Sequence, residues 1–383
     1  MRVPLAWHQL THEKMRLLVA LAGIAFADVL MFMQLGFKNA LLNSAVRLPK
    51  SLQGDIFLLS SQTDTFINPK SFSARRLYKV MGVAGVKDIN SFYVDINIWK
   101  NPQDRSTRQI FVLGFNPVQN ILNLAGVAEN LDLLKQPDVF LFDSKSRKEF
   151  GPIKSNILAG NPVTTEVGDR RITVKGLFTL GSSFGADGSL VTSDLNFFRL
   201  FPNREKNLID VGVIQLEPGA DLETVIKTIK SELQEGDVQV LSKEELVAYE
   251  RYYWETRTTI GFIFGLGTVM GFIVGTVIVY QILYTDVSDH LPEYATLKAM
   301  GYGDTYLLGV VFQQALLLAI VGFIPSLGLG IFIYSNTAKA TGLPLIMTVG
   351  RAITVLGLTL VMCTISGAIA VGKLRGADPA DIF

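Results

Sequence analysis

The chain has 383 residues, 49% of them apolar, a formal net charge of +1 and a mean hydropathy of +0.34. A balance this close to neutral gives no electrostatic handle for nucleic acid, and the apolar share points to a membrane protein rather than to two or three soluble domains. Cys363 is the single cysteine, so no intramolecular disulfide can form and any domain outside the membrane must be held by its own core.

Residues 1–16 interleave Leu5, Trp7, Leu10 and Met15 with polar groups and read as an amphipathic segment on the cytoplasmic membrane surface. His8 and His12 share a helical face at a metal-ligand spacing, but further ligands are missing nearby and no metal site is assigned. Residues 17–37 form the first span, with the length a bilayer core requires. Ala25-Phe26-Ala27 resembles a signal-peptide cleavage site, yet Val29–Phe37 stays apolar where a secreted chain turns polar, which favours a retained anchor. Asp28 lies mid-span as an intramembrane polar group. It is either a proton or substrate contact or a carboxylate facing a partner helix or a water-filled seam, and the second reading is preferred.

Residues 38–241 are polar and mixed, long enough for a real core, and read as an extracytoplasmic α+β domain. Strands are expected at Asp55–Leu59, Ser91–Trp99, Gln109–Phe115, Val139–Phe142, Arg171–Leu177 and Val211–Leu216, with helices at Phe72–Met81 and Asp221–Leu233. The glycine-rich Gly181–Gly188 lacks the Lys-Ser/Thr of a phosphate loop and reads as a loop tip.

Residues 242–259 are read as a stalk helix, opened by a capping box at Ser242 and Glu245. Without proline as far as Tyr284, a continuous helix of about 60 Å is expected, roughly twice the hydrocarbon thickness. Its span is 260–284, and Tyr249, Tyr252, Tyr253 and Trp254 belong to the projecting stalk, with an aromatic belt at its foot. Gly267, Gly271 and Gly275 repeat every fourth residue, with Gly261 and Gly265 on the adjoining face. Such a stripe invites close helix packing, here expected across a dimer.

Residues 285–304 form a short polar interval between long apolar runs. Ser288 or Asp289 can cap a small helix there, Pro292 is tolerated in its first turn, and Gly301 suits a left-handed C-terminal cap. Tyr294, Leu297 and Met300 recur along one face, with Lys298 in the last turn and Asp304 placed to cap the next helix. Residues 305–334 are the third span, interrupted by Pro325, 335–351 a short connection, 352–371 the fourth span and 372–383 a cytoplasmic tail. Four spans put both termini and 285–304 on one side and the large domain on the other; Arg2, Lys14, Arg16, Lys373 and Arg375 favour cytoplasmic termini. The fold class is therefore an α+β membrane protein with four transmembrane helices.

The sequence has no GxxxxGK[ST], GxSxG, HExxH or CxxC, so no catalytic residue and no cofactor is assigned to this chain.

One span, a large α+β domain and three further spans resemble the FtsX/MacB-type ABC transporter permeases. The residues that carry the resemblance are PEYATLKAMGYGDTYL at 292–307, the stalk entrance at Ser242–Glu245 and the closing Asp378-Pro379-Ala380. The separate permease chain, the outer domain and the tail are most similar to the cyanobacterial DevC proteins. The resemblance implies a homodimeric inner-membrane permease driven by a separate ABC ATPase that binds ATP and magnesium, with a periplasmic adaptor and a TolC-like outer-membrane channel beyond it. It implies efflux of a lipidic cargo (glycolipid in DevC-like systems) by mechanotransmission. A transmitter that activates a periplasmic partner without transport is the alternative. Glu293, Tyr294, Leu297, Lys298, Ala299, Met300 and Gly301 would form the ATPase-coupling helix. Pro292, Tyr294 and Thr296 depart from the charged or Ile/Gly residues common in relatives.

Overall fold

The computed structural model describes residues 14–375 apart from Glu235. His8, His12, Asp378-Pro379-Ala380 and most of the N-terminal amphipathic segment lie outside the described residues. The chain divides into two compact units, one of Met1–Asn39, Thr259–Lys339 and Leu345–Phe383, the other of Ala40–Thr258 and Ala340–Pro344. The first long helix, α1, covers Lys14–Ala45 and contains the expected first span.

The α+β unit continues with β1 (Ile56–Ser60), α2 (Ala74–Val80), β2 (Val86–Lys100), β3 (Thr107–Phe115), β4 (Val139–Asp143), β5 (Val163–Val167), β6 (Arg170–Phe178) and β7 (Ser189–Ser193). Then come β8 (Val211–Leu216), α3 (Leu222–Leu233), β9 (Val238–Ser242) and α4 (Lys243–Tyr252). Across the sheet the order is β9-β1-β8-β2-β3-β7-β4-β6-β5, and β2 pairs a second time with β5.

Two bodies share this sheet. The elements β1-α2-β2-β8-α3-β9, with strands ordered β9-β1-β8-β2 and every pairing antiparallel, make a ferredoxin-like frame. Between β2 and β8 the chain inserts five strands that close a six-stranded ring through β2, because Trp99 and Lys100 lie opposite Val167 and Glu166. Closure satisfies backbone groups that an edge would leave open. Strand β2 serves both bodies: Val86–Phe92 pairs with β8 and Phe92–Lys100 with β3.

Apolar burial fixes the register of each body. In the ring, Trp99 is fully buried, its indole Nε1 donates to the Phe150 carbonyl at 3.1 Å, and the Phe142 and Phe150 rings lie 5.5 and 6.2 Å away. In the frame, α3 is capped by Asp221, whose side chain accepts from the Thr224 N–H at 2.9 Å, and buries Val225, Ile229 and Leu233 along one face. The opposite sheet face packs Phe57, Leu59, Phe92 and Val213 with Leu246 of α4.

The unbroken rod expected from Ser242 to Tyr284 does not form. Helix α4 does start at the capping box: Ser242 Oγ accepts from the Glu245 N–H at 3.1 Å, and a Glu245 carboxylate oxygen accepts from the Ser242 N–H at 2.7 Å. It ends in a π-helical turn at Tyr253–Arg257, and Thr258 is extended (φ −102°, ψ 142°), so a new helix begins at Thr259. The reason is where α4 is fastened. Buried Glu250 accepts from Thr65 Oγ1, the Phe66 N–H and Trp254 Nε1 at 2.8, 2.7 and 2.8 Å, and the Tyr249 hydroxyl donates to the Thr63 carbonyl. Tyr249 and Trp254 are thus structural ties of the α+β unit, while Tyr252 is exposed and the Tyr253 ring packs edge-on to Trp254.

The second unit combines α1 with α5 (Thr259–Asp289), α6 (Leu291–Ala299), α7 (Asp304–Thr341) and α8 (Val349–Arg375). Helices α1, α5, α7 and α8 are each long and apolar enough to cross a membrane. Helix α7 runs through Pro325 as one element. Ala20, Ile24 and Ala27 of α1 pack with Val279, Leu283, Ala315, Leu318 and Met362 from the other three.

Candidate functional site

Helix α6 is the small helix expected between the second and third long helices, but its caps differ from expectation. Helix α5 runs on through Ser288 and Asp289, the Ser288 hydroxyl bonds back to the Tyr284 carbonyl at 2.7 Å, and the N-cap position is His290 without a side-chain cap. Pro292 sits in the first turn, where it displaces no hydrogen bond. At the other end Gly301 takes φ +92°, its N–H bonds to the Lys298 carbonyl at 2.9 Å, and the Tyr302 N–H bonds to the Leu297 carbonyl at 3.1 Å. This pair of bonds is a Schellman ending, and the left-handed residue it needs is the glycine that the sequence supplies.

The helix has one clamped face and one open face. Tyr294 is 1% exposed, packed with Val287, Val310, Val311 and Val371, and half-buried Leu297 joins the same cluster. Ala295 is buried and Lys298 half-buried. Pro292, Glu293, Thr296, Ala299 and Met300 are exposed, Met300 at 63%, and the Gly301–Gly303 turn is exposed beside them. Of the residues expected to carry coupling, Tyr294 and Leu297 therefore hold the helix in place. Glu293, Ala299 and Met300 face outward.

Acidic residues around α6 have partners that the sequence does not advertise. A Gln314 side-chain N–H donates to Asp286 at 2.9 Å, both groups being buried, and His290 Nδ1 lies 3.7 Å from the same carboxylate. Arg16 of α1 meets Asp289 at 2.7 Å. Gln314 and Arg16 escaped sequence reading because their partners are far along the chain; the only signal was the unbalanced run of acids itself.

The glycine stripe packs within one chain. A Cβ at Gly275 would meet Met362 and, at 2.7 Å, the Ala27 Cβ; one at Gly271 would lie 3.3 Å from Met31 Cγ; one at Gly267 would strike Gln34. These glycines seat α1 and α8 against α5. Gly261 is buried, and Gly265 has open space around it. Asp28 is fully buried within the helices, with Thr359 Oγ1 2.6 Å from its Oδ1.

Residues 259–379 match the family model described as FtsX-like permease C-terminal. No curated protein matches the chain. Among solved structures, the chain is similar to the periplasmic region of MacB from Actinobacillus actinomycetemcomitans, with 9% identity, a TM-score of 0.37 and coverage of 51% of this chain and 92% of that one. It is also similar to the extracellular domain of the noncanonic ABC-type transporter YknZ from Gram-positive bacteria, with 14% identity, a TM-score of 0.35 and coverage of 49% and 99%. The family match takes in α5, α6, α7 and α8, the clamped loop helix included. Residues 259–379 are thus similar to the C-terminal part of FtsX-like permeases, and α1, α5, α7 and α8 are each long and apolar enough to span a bilayer.

Proposed function

We propose that the chain is the permease subunit of an ABC export system and that a separate ATPase, which binds ATP and magnesium, pushes on α6. The observation that carries this reading is the split character of α6. Tyr294 and the Schellman turn fix the helix to the bundle, and Glu293, Thr296 and Met300 present an open strip to a partner. A push on a helix so clamped moves the bundle rather than bending a loop.

The termini and α6 lie in the cytoplasm and the α+β unit in the periplasm, a reading supported by four spans and by Arg2, Lys14, Arg16, Lys373 and Arg375 near the ends. A second copy packs along α5, where Gly265 and the exposed Phe262, Leu266, Val269 and Ile273 leave room and apolar surface. The adaptor, the TolC-like channel and a glycolipid or other amphiphilic cargo follow from the likeness to the DevC proteins. Accumulation analysis tests the cargo: depletion of the chain should leave a particular lipid on the inner side of the membrane.

The coupling test is Met300→Asp. A charge on the open strip is expected to abolish co-purification of the ATPase while the chain still inserts and folds. Leu297→Asp is expected to unseat α6 itself, because Leu297 packs into the bundle. Undiminished ATPase binding by Met300→Asp would sink the assignment.

A further inference from the structure

We propose that the outer edge of β9 is a docking site for an extended segment of a partner protein, which adds to the sheet as a further strand and sets an acidic group against Lys230. Strand β9 ends the sheet. It pairs with β1 alone, whereas at the other end β5 closes back on β2. Natural edge strands carry charges, prolines or bulges that turn other strands away. The sequence of β9 is VQVLS, with none of these, and its register with β1 runs from Val238 to Ser242 without a shift.

The same register fixes which backbone groups are free. In an antiparallel ladder, alternate residues direct both N–H and C=O at the neighbour, and the residues between direct theirs away. The Ser61 N–H bonds to the Asp237 carbonyl at 2.9 Å, which makes Gln239 and Leu241 the residues bonded to β1. Val238, Val240 and Ser242 therefore face outward. The capping box agrees with this phase, because the Ser242 N–H is met by a Glu245 carboxylate oxygen at 2.7 Å. Val238 and Val240 have no such cover: among the described residues, nothing bonds to their N–H or C=O groups. Their donors and acceptors recur every second residue, a pattern that another extended backbone matches and a helix does not. Slippage is prevented from below, where Val240 is 4% exposed and Val238 packs beside it in the core with Ile229 and Leu233 of α3.

The space beside the edge suits side chains from such a segment. A cavity of about 400 Å³ is lined there by Leu233, Val238, Val240 and Leu241, and by exposed Lys230 in the last turn of α3. Among the described residues, Lys230 is the one ionisable side chain of this wall, and it forms no ion pair. An incoming segment thus meets an apolar wall and one cation, which selects an apolar side chain for the cavity and an acidic group beside it. A second copy of this chain paired along the same edge would bring another Lys230 and, from the same wall, no acid to meet it.

Hydrogen exchange of single amides in the full-length protein in detergent tests this. The probes are two synthetic peptides of alternating threonine and valine, one ending in aspartates and the other in lysines. Without peptide, Val238 and Val240 should exchange fast while Gln239 and Leu241 are protected. The aspartate peptide should slow Val238 and Val240, and the lysine peptide should do so less. Val238→Pro removes an outward N–H and no bond to β1, and should weaken binding of the aspartate peptide about tenfold. Lys230→Glu should reverse the preference between the two peptides. Unslowed exchange at Val238 and Val240 with both peptides overturns the proposal, and so does undiminished binding by Val238→Pro. Protection there without peptide that is lost on dilution assigns the edge to a second copy and overturns it too. Should Val238→Pro fail to fold, Lys230→Glu decides alone: a reversed preference supports the proposal, and an unchanged one overturns it.

Discussion

Glu250 takes three donors and its carboxyl still titrates above the ordinary range, because burial outweighs the hydrogen bonds from Phe66, Thr65 and Trp254 that favour the charged form. The folded chain therefore keeps this proton to a higher pH than the unfolded chain does. The contribution to stability is full below the ordinary carboxylate range and declines as pH rises through the raised value. Asp143 and Asp210 are raised by burial in the same sense. Glu250→Gln should remove this group's share of the pH dependence, so that the thermal midpoint of the variant rises relative to that of wild type as pH increases above the ordinary carboxylate range. A slope equal to that of wild type would contradict the assignment. Residues of this kind set the limit of sequence reading. The capping box of Ser242 and Glu245 is legible because its partners are three positions apart, whereas Glu250 reaches Thr65 across 185 positions. Met300 shows the same limit from the other side. Its spacing marks an apolar face, but only the packing of Tyr294 and Leu297 shows which face is already used.

Among elements, α5 shows how a pattern can be read correctly and its partner misplaced. Small residues every fourth position announce close approach, and close approach is found, but to α1 and α8 of the same chain. Gly275→Ala places a Cβ 2.7 Å from the Ala27 Cβ, so α1 must shift, at an expected cost of about 1–3 kcal/mol. Gly265→Ala meets nothing within the chain and should gain up to about 1 kcal/mol of helix propensity. Thermal midpoints of the two variants in detergent check the contrast, and equal shifts would refute it. The break at Thr258 eluded the sequence for a different reason. No proline or glycine marks it; it arises where Glu250 and Tyr249 bind one helix to the α+β unit. Strands β5 and β7 were missed because VTTEV is rich in threonine and SLVTS is buried at every position, so neither shows clean alternation.

For the whole molecule, the α+β class and the four long helices were legible from hydropathy, element type and turn chemistry. The frame and its inserted ring were not, because both are defined by long-range pairings that local periodicity does not encode. Those pairings have a consequence for how the chain is made. Strand β1 ends at Ser60, and its two neighbours, β8 and β9, begin at Val211 and Val238. Every strand of the ring is synthesised in the interval. A chain emerging amino terminus first can therefore complete its barrel before its frame, whose central strand waits for about 150 further residues. Pulse-labelled hydrogen exchange during refolding of the full chain should protect the amides of Val112 and Val191 ahead of those of Phe57 and Leu59; simultaneous protection would refute the order. Until β8 and β9 arrive, Ile56–Ser60 is a strand apolar in all but its last residue and open on both edges, so the nascent protein needs shielding at this early stretch as well as at its long apolar helices.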